Sequence, residues 1–452
     1  MQAKFNQQLL SIISKLPAIT AAPRFVVALS GGVDSIVLLK LLVGFQQQHS
    51  GYQVIAHNVN HGLSEHAEQW NEFCKTFCNE LNIELLSSKV NIQKNSRNSL
   101  EALAREARYQ CFLKKMADND IILTGHHQDD QLETLLLALK RGSGSTGLQG
   151  IRSYQTFHSG YLVRPLLNFS RQQIIDYAQI EGLTWVEDES NQDIHFDRNF
   201  IRHQIAPLLS QRWPAIAKSV SRTAQLCQEQ QSLVDEIAAE DLQQCLEMRL
   251  GDETLSINSL INLSIPRRNN LLRHWLKSNG LDYPTSKQLS VLWEEVALAE
   301  QDKQPCLKLV KHTIHRYLGN LYIVPIQSIA LPKEPIVWKG ESLLRVDKGS
   351  SLNERTLAID FSLVDTAILK QHTITCCFRK HLNSKLTCQP EGRSKSRSIK
   401  KLLHEFQVPP WQREQVIFIF IDEYLVEALG VWQCQLTPNV ELPRLQLAMC
   451  SS

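Results

Sequence analysis

Apolar positions in the first 215 residues fall in short runs separated by helical stretches. Phe25-Val26-Val27-Ala28-Leu29, Val54-Ile55-Ala56, Ile83-Glu84-Leu85-Leu86 and Ile121-Ile122-Leu123 each read as a buried strand, recurring about every 30 residues. Between them, Ile36, Leu39, Leu42 and Val43, then Trp70, Phe73, Cys74 and Phe77, then Leu100 to Leu113, keep helical spacing. This alternation predicts right-handed crossovers and a doubly wound parallel sheet of the α/β class. Ligands of such sheets bind beyond the carboxyl ends of the strands. After residue 215 the pattern changes. Residues 215–247 read as one long amphipathic helix and Pro266 to Asn279 as a second, with a third capped by Thr285-Ser286; two strand-like runs flank Gly319-Asn320. A proline-bearing linker at 325–336 leads to an α+β segment, with strands near 373–378, 416–421 and 424–429 around a helix at 398–406.

Composition narrows the class. The chain has 452 residues, 43% hydrophobic and 21% charged, enough for about two to four ordinary globular domains. Lys+Arg 48 against Asp+Glu 46 leaves no global charge to advertise a nucleic-acid partner. Locally the balance differs. Residues 379–401 hold Arg379, Lys380, Lys385, Arg393, Lys395, Arg397, Lys400 and Lys401 against the single acid Glu391. The 11 cysteines include no C-x-x-C, which predicts a reducing compartment, no disulfide framework and no structural zinc site. No signal peptide is read at the start, and the apolar run Val416 to Ile421 meets Asp422-Glu423 too soon to span a bilayer. The expectation is a soluble cytoplasmic protein without a membrane partner.

Ser30-Gly31-Gly32-Val33-Asp34-Ser35 follows the first strand directly and opens a helix. Two glycines let a ligand approach the backbone, and the helix N-terminus offers N–H groups and a positive dipole end. Asp34 is the misfit, because an acid repels polyphosphate unless a cation lies between. It is therefore a candidate Mg²⁺ ligand, since Mg²⁺ takes one or two carboxylates together with phosphate oxygens. A plain strand-to-helix turn capped by Ser and Asp is the alternative. No Gly-Lys-Ser/Thr follows, which excludes a Walker loop.

This loop resembles the PP-loop of the ATP pyrophosphatases, which cleave ATP between its α and β phosphates. His57 to Leu63, Thr124 to Leu148, Arg164-Pro165-Leu166-Leu167 and Trp185 to Arg202 together resemble the tRNA(Ile)-lysidine synthetase family, over nearly all of residues 24–213. The likeness returns at 373–433, above all in Arg393 to Arg413. It departs at Lys380-His381, where the family pattern has Gly-Gly. The resemblance implies a PP-loop ATP-binding catalytic domain at 1–215, a mostly helical tRNA-contacting domain at 216–330, and a linker with an α+β tRNA-binding domain at 331–452. It implies ATP-dependent ligation of free L-lysine to carbon 2 of the wobble cytidine in an isoleucine tRNA with a CAU anticodon. The cytidine oxygen is first adenylated, and the lysine ε-amine then displaces AMP, so that an AUG-reading anticodon reads AUA. ATP and Mg²⁺ are the implied cofactors; the oligomeric state stays open, a homodimer included.

The remaining candidates follow from that chemistry. At pH 7 only about one lysine in 2,500 carries a neutral amine, so the site must hold an ammonium before it can react. Asp130 and Glu133, three apart at the start of a helix after the fourth strand, share a face and can hold it; the resemblance assigns both to the substrate lysine. A capping arrangement and a metal site built from His126, His127 and Asp130 are the alternatives. Arg105, Arg198 and Arg202 can neutralise phosphate charge during adenylation, or can pair with Glu101, Glu106, Asp188 or Asp197. Arg393, Lys395, Arg397, Lys400 and Lys401 form the candidate tRNA surface, with a solvated basic face as the alternative. Gly142 to Gly147 follows a helix and reads as a flexible loop rather than a dinucleotide fingerprint. Two rivals remain in view: a tRNA cytidine thiolase of the same superfamily, which would need reactive cysteines, and a non-catalytic RNA-binding protein.

Overall fold

The computed structural model describes residues 1–17, 23–60, 62, 66–90, 100–117, 119–250, 252–300, 305–326, 331–346, 357–362, 364, 367–368, 371–435 and 448–451. The chain divides into two compact units, Met1–Val234 and Asp235–Ser452. In the first, helix α1 (Gln2–Ile13) precedes β1 (Arg24–Ala28), α2 (Val33–Gln48), β2 (Gln53–Asn60), α3 (Ala67–Glu80), β3 (Glu84–Lys89), α4 (Leu100–Lys115) and β4 (Ile121–Leu123). Then come α5 (Gln128–Lys140), α6 (Ser145–Leu148), β5 (Tyr154–Phe157), β6 (Gly160–Val163) and α7 (Arg171–Ile180). A near-continuous helical stretch made of α8 (Asp197–Phe200), a π-turn (Ile201–Ile205) and α9 (Ala206–Arg212) leads to the long α10 (Ile216–Cys245).

The strand order is β3-β2-β1-β4-β6-β5, parallel except for the β5–β6 hairpin. The four apolar runs of the sequence are four of its five parallel strands, β6 being the fifth, and the doubly wound expectation holds. From β1 the chain winds to β2 and β3 on one side, and β4 lies on the other side. The crevice of such a sheet opens at this reversal. Val27 pairs with Leu123, so the loops that leave β1 and β4 emerge side by side. Helix α2 is buried on most of its surface because the sheet, α1 and α7 all pack on it; Ile36, Val37, Leu38, Leu39, Leu41, Leu42 and Phe45 are fully enclosed.

The second unit holds separate cores. One gathers Leu271, Leu272, Trp275 and Leu276 of α12 (Ile265–Ser278) with Leu292, Leu255 and Ile314. Five antiparallel strands accompany these helices, where the sequence signalled only the pair around Gly319-Asn320. Other cores form where strands Ile374–Phe378, Ile417–Ile421 and Tyr424–Ala428 pair antiparallel and the helix Ile399–Glu405 packs nearby. Cys388 and Cys434, 46 residues apart, form a disulfide. No local spacing signals that pairing, a single bridge that was not among the sequence expectations. No helix among the described residues is long and apolar enough to cross a membrane.

One ion pair fastens the sheet. Arg24 at the start of β1 donates to both oxygens of Asp120, at 3.0 and 2.6 Å, and the Ala117 N–H donates to the same carboxylate. Asp120 is fully buried, so removing one partner strands a charge. Arg24→Gln, which leaves the buried Asp120 carboxylate without its cation, should destabilise the first unit by about 3 kcal/mol, read as a lower urea midpoint at unchanged slope. An unchanged midpoint would show that the pair contributes nothing.

Candidate active site

The loop from β1 is built for close approach. Gly31 has φ +88°, a conformation in which any side chain would be strained. Ser35 Oγ lies 3.2 Å from Ser30 Oγ, receives the Ser30 N–H, and donates to the Gly32 carbonyl at 2.9 Å. Gly32 is the N-cap of α2 and supplies no side-chain cap to the first N–H groups of Val33 and Asp34. Ser30 to Ser35 thus form a cradle at the positive end of α2. Asp34 points one carboxylate oxygen, Oδ1, into the interior, where it has no hydrogen-bond partner. Burial raises its pKa, with the nearby Asp130 adding to the rise and His127 opposing it.

The loop from β4 supplies the facing wall. His127 caps α5, and its backbone N–H donates to Asp130 Oδ2 at 2.9 Å. Asp130 is therefore the third residue of the helix, where it closes a capping box with His127, and not the N-cap paired with Glu133 that was first considered. Both carboxylates are buried and meet two arginines from α8 and the π-turn. Arg198 donates through Nε to Glu133 at 2.7 Å and through Nη2 to Asp130 at 3.0 Å. Arg202 donates through Nε and Nη2 to Glu133 at 2.6 and 3.0 Å, and reaches Asp130 at 3.3 Å. These partners are neither Asp188 nor Asp197; Asp197 instead pairs with Lys140 at 2.5 Å. All four oxygens of the two acids accept a hydrogen bond.

His127 joins the two walls. Its ring lies 3.8 Å from Asp34, 3.6 Å from Asp130 and 3.6 Å from Asp129. Burial opposes its charge, but the carboxylates of Asp130, Asp129 and Asp34 prevail and raise its pKa to about 9. Asp130 is drawn the other way: burial would raise it, and His127⁺ and Arg198 hold it well below the ordinary range. The neighbouring His126 sits among cations. Burial, then the charges of Arg164, Arg198 and Arg105, push its pKa down to about 3 against the pull of Asp130. Among the described residues no group of three His, Cys, Asp or Glu side chains has metal-site geometry, so the alternative metal site of His126, His127 and Asp130 does not form.

The structure thus brings Asp34, Asp130, Glu133, Arg198 and Arg202 together. Arg105 stands apart from the two acids, its guanidinium 5.6 Å over the Tyr109 ring, and the side chain of Glu101, once a candidate partner, lies outside the described residues. Gly144 to Leu148 contains the short helix α6, so the glycine-rich run is partly ordered. In the second unit, Arg393 and Arg397 approach Glu405 at 3.6 and 3.8 Å, while Lys395, Lys400 and Lys401 are exposed and carry no ion pair among the described residues.

Comparison with known proteins decides the family. A PP-loop domain model matches residues 1–209, a TilS substrate binding domain model matches 255–322, and a TilS substrate C-terminal domain model matches 374–444. A tRNA(Ile)-lysidine synthase of Serratia proteamaculans is 40% identical over 419 residues, covering 92% of this chain and 93% of its own. The chain belongs to the tRNA(Ile)-lysidine synthase family. Its counterpart in Vibrio atlanticus is 40% identical over 434 residues, covering 90% and 92%. Among solved structures, a U34-tRNA thiolase of Methanococcus maripaludis with a [4Fe-4S] cluster matches with TM-score 0.43 and 18% identity, over 50% of this chain and 77% of that one, too slight a likeness to bear on function.

Within this site, Asp129 was missed by sequence reasoning, although acids in the first turn of a helix are a readable signal, and His127 was read as a metal-ligand alternative. Asp129 accepts the Arg171 backbone N–H at 2.8 Å and so ties α7 to α5. A sharper test lies at Gly125, where an added Cβ would stand 3.0 Å from the backbone of Asp34, which cannot yield. Gly125→Ala should push the two loops apart and weaken ATP binding at least about tenfold, roughly 1.4 kcal/mol, as measured by calorimetry. Unaltered affinity would mean that the loops do not act as one site.

Proposed function

We propose that this chain uses ATP to ligate free L-lysine to carbon 2 of the wobble cytidine of an isoleucine tRNA with a CAU anticodon, in the cytoplasm. The observation that carries the reading is the enclosed set of Asp130, Glu133, Arg198 and Arg202 beside the Ser30–Ser35 cradle. ATP would lie with its phosphates on the cradle. The orphan Asp34 oxygen fits a cation held jointly with phosphate, so Asp34 would hold Mg²⁺, which supplies charge neutralisation at the phosphates.

The paired charges suggest how one site serves two steps. With both acids fully bonded to arginine, no carboxylate is free for an ammonium. We read the cluster as an exchanger: an arginine turns toward phosphate charge as the cytidine oxygen attacks, and the lysine ammonium takes its place on Asp130 and Glu133. Exchange of one cation for another keeps the buried acids neutralised throughout, which avoids the several kcal/mol cost of stranding them. Arg105, outside the cluster, remains available to phosphate. The second unit would carry the tRNA contacts, with residues 216–330 and 331–452 as successive RNA-facing segments and Arg393, Lys395, Arg397, Lys400 and Lys401 following the phosphate backbone.

Incubation with tRNA, ATP and lysine, followed by mass spectrometry of the nucleosides, tests the reading. It should give a cytidine carrying lysine, with AMP and pyrophosphate released. Asp34→Ala should bind tRNA yet form neither AMP nor pyrophosphate. Unmodified cytidine with the native chain, or sulfur at carbon 2, would overturn the proposal. Charge reversal at Lys400 and Lys401 should weaken tRNA binding and flatten its salt dependence by about two phosphate contacts. An unchanged salt slope would remove that helix from the RNA footprint.

A further inference from the structure

One buried cation near the site has no carboxylate partner among the described residues. Arg164 follows β6 at the carboxyl edge of the sheet, where Val163 pairs with Leu123 and accepts the Thr124 N–H at 3.1 Å. Its side chain therefore lies next to the Thr124–His127 loop. Arg164 is only 3% exposed. Its Nη1 donates to the Arg152 carbonyl at 2.8 Å, its Nε has no partner, and among the described residues no carboxylate pairs with it. Tyr109 lies against it, and Arg105 adds a second positive charge. Enclosing a guanidinium without a counter-charge is unfavourable, and a bound anion would relieve it.

We propose that Arg164 receives the α-carboxylate of the amino-acid substrate and thereby selects a free amino acid over other amines. The inference rests on the reading given under Proposed function and adds the specificity of the same site. Three observations favour a carboxylate. Nη1 is engaged and Tyr109 hydrogen-bonds the guanidinium, but Nε has no partner, and a guanidinium N–H in this position can donate to a carboxylate oxygen. The burial of Arg164 keeps out an RNA strand. In the order β1-β4-β6 the phosphate cradle lies two strands away, about 10 Å, so phosphates on that cradle do not fill this position. His126 lies between the two ends of the site, since both Asp130 and Arg164 act on its ring. Its Nδ1 is hydrogen-bonded to Thr124 Oγ1 at 2.8 Å. A lysine with its ammonium at Asp130 and Glu133 would thus extend past His126 to place its carboxylate on Arg164.

The test compares amines that share the reacting end. L-Lysine, L-lysinamide and 1,5-diaminopentane are offered to the native protein with tRNA and ATP, and the modified cytidine is quantified. Lysine should surpass lysinamide and the diamine at least tenfold in kcat/KM. Arg164→Gln should raise the KM for lysine at least tenfold and leave the diamine and ATP unchanged, with Arg164→Lys intermediate. Equal use of all three amines by the native protein would overturn the inference while leaving ligation itself intact. So would a parallel loss for lysine and diamine in Arg164→Gln, or a loss confined to ATP or tRNA affinity. Absence of any amine adduct with the native protein would instead count against the underlying reading. Because the amine series uses the native chain, the result stands even if the variants fail to fold.

Discussion

The site depends on keeping two carboxylates charged inside the protein. Asp130 and Glu133 are both buried, and each would be costly without a cation in contact. Arg198 and Arg202 meet that need with five hydrogen bonds of 2.6 to 3.3 Å, and the His127 N–H adds another. The arginines in turn fix the helical stretch from Asp197 to Arg212 against α5. A polar cluster of this kind is stable only when complete, so whatever displaces one cation must bring another. Lysine is such a cation, and a phosphate group offers the displaced arginine a partner.

The sheet makes the encounter possible. Placing β4 beside β1 sets the phosphate cradle next to the loop that carries His126, His127 and Asp130. Gly125 allows the two backbones to touch, and His127 connects Asp34 to Asp130 through its ring. Extending the edge by one strand brings Arg164 alongside the same loop. Phosphate cradle, acid pair and an arginine without a carboxylate partner among the described residues thus lie at three consecutive strand ends.

Local pattern carried much of this. Apolar runs at fixed intervals revealed the parallel strands, and Ser30 to Ser35 stood out because an acid sits among glycines in a helix-opening loop. The spacing of Asp130 and Glu133 placed them on one face. Their partners were not legible: Arg198 lies 65 and 68 residues from Glu133 and Asp130, and nearby Asp188 and Asp197 were equally good candidates by sequence. Pairing across such separations is decided by packing of whole elements, not by local spacing. The β5–β6 hairpin escaped notice because Tyr154–Phe157 is an edge strand that buries little. The Cys388–Cys434 pairing also joins distant segments, and its 46-residue separation left no local signal.

The central claim is that lysine replaces an arginine on the buried acids. The most direct measurement is the ¹⁵N NMR signal of the Arg198 and Arg202 Nε–H groups, followed as lysine is added to the protein with tRNA and ATP. The exchange account predicts that one of the two signals loses its carboxylate-bonded shift on addition of lysine, at the lysine concentration that half-saturates product formation. If both signals stay unchanged while lysine-modified cytidine accumulates, the arginines remain on Asp130 and Glu133, and the ammonium is held elsewhere.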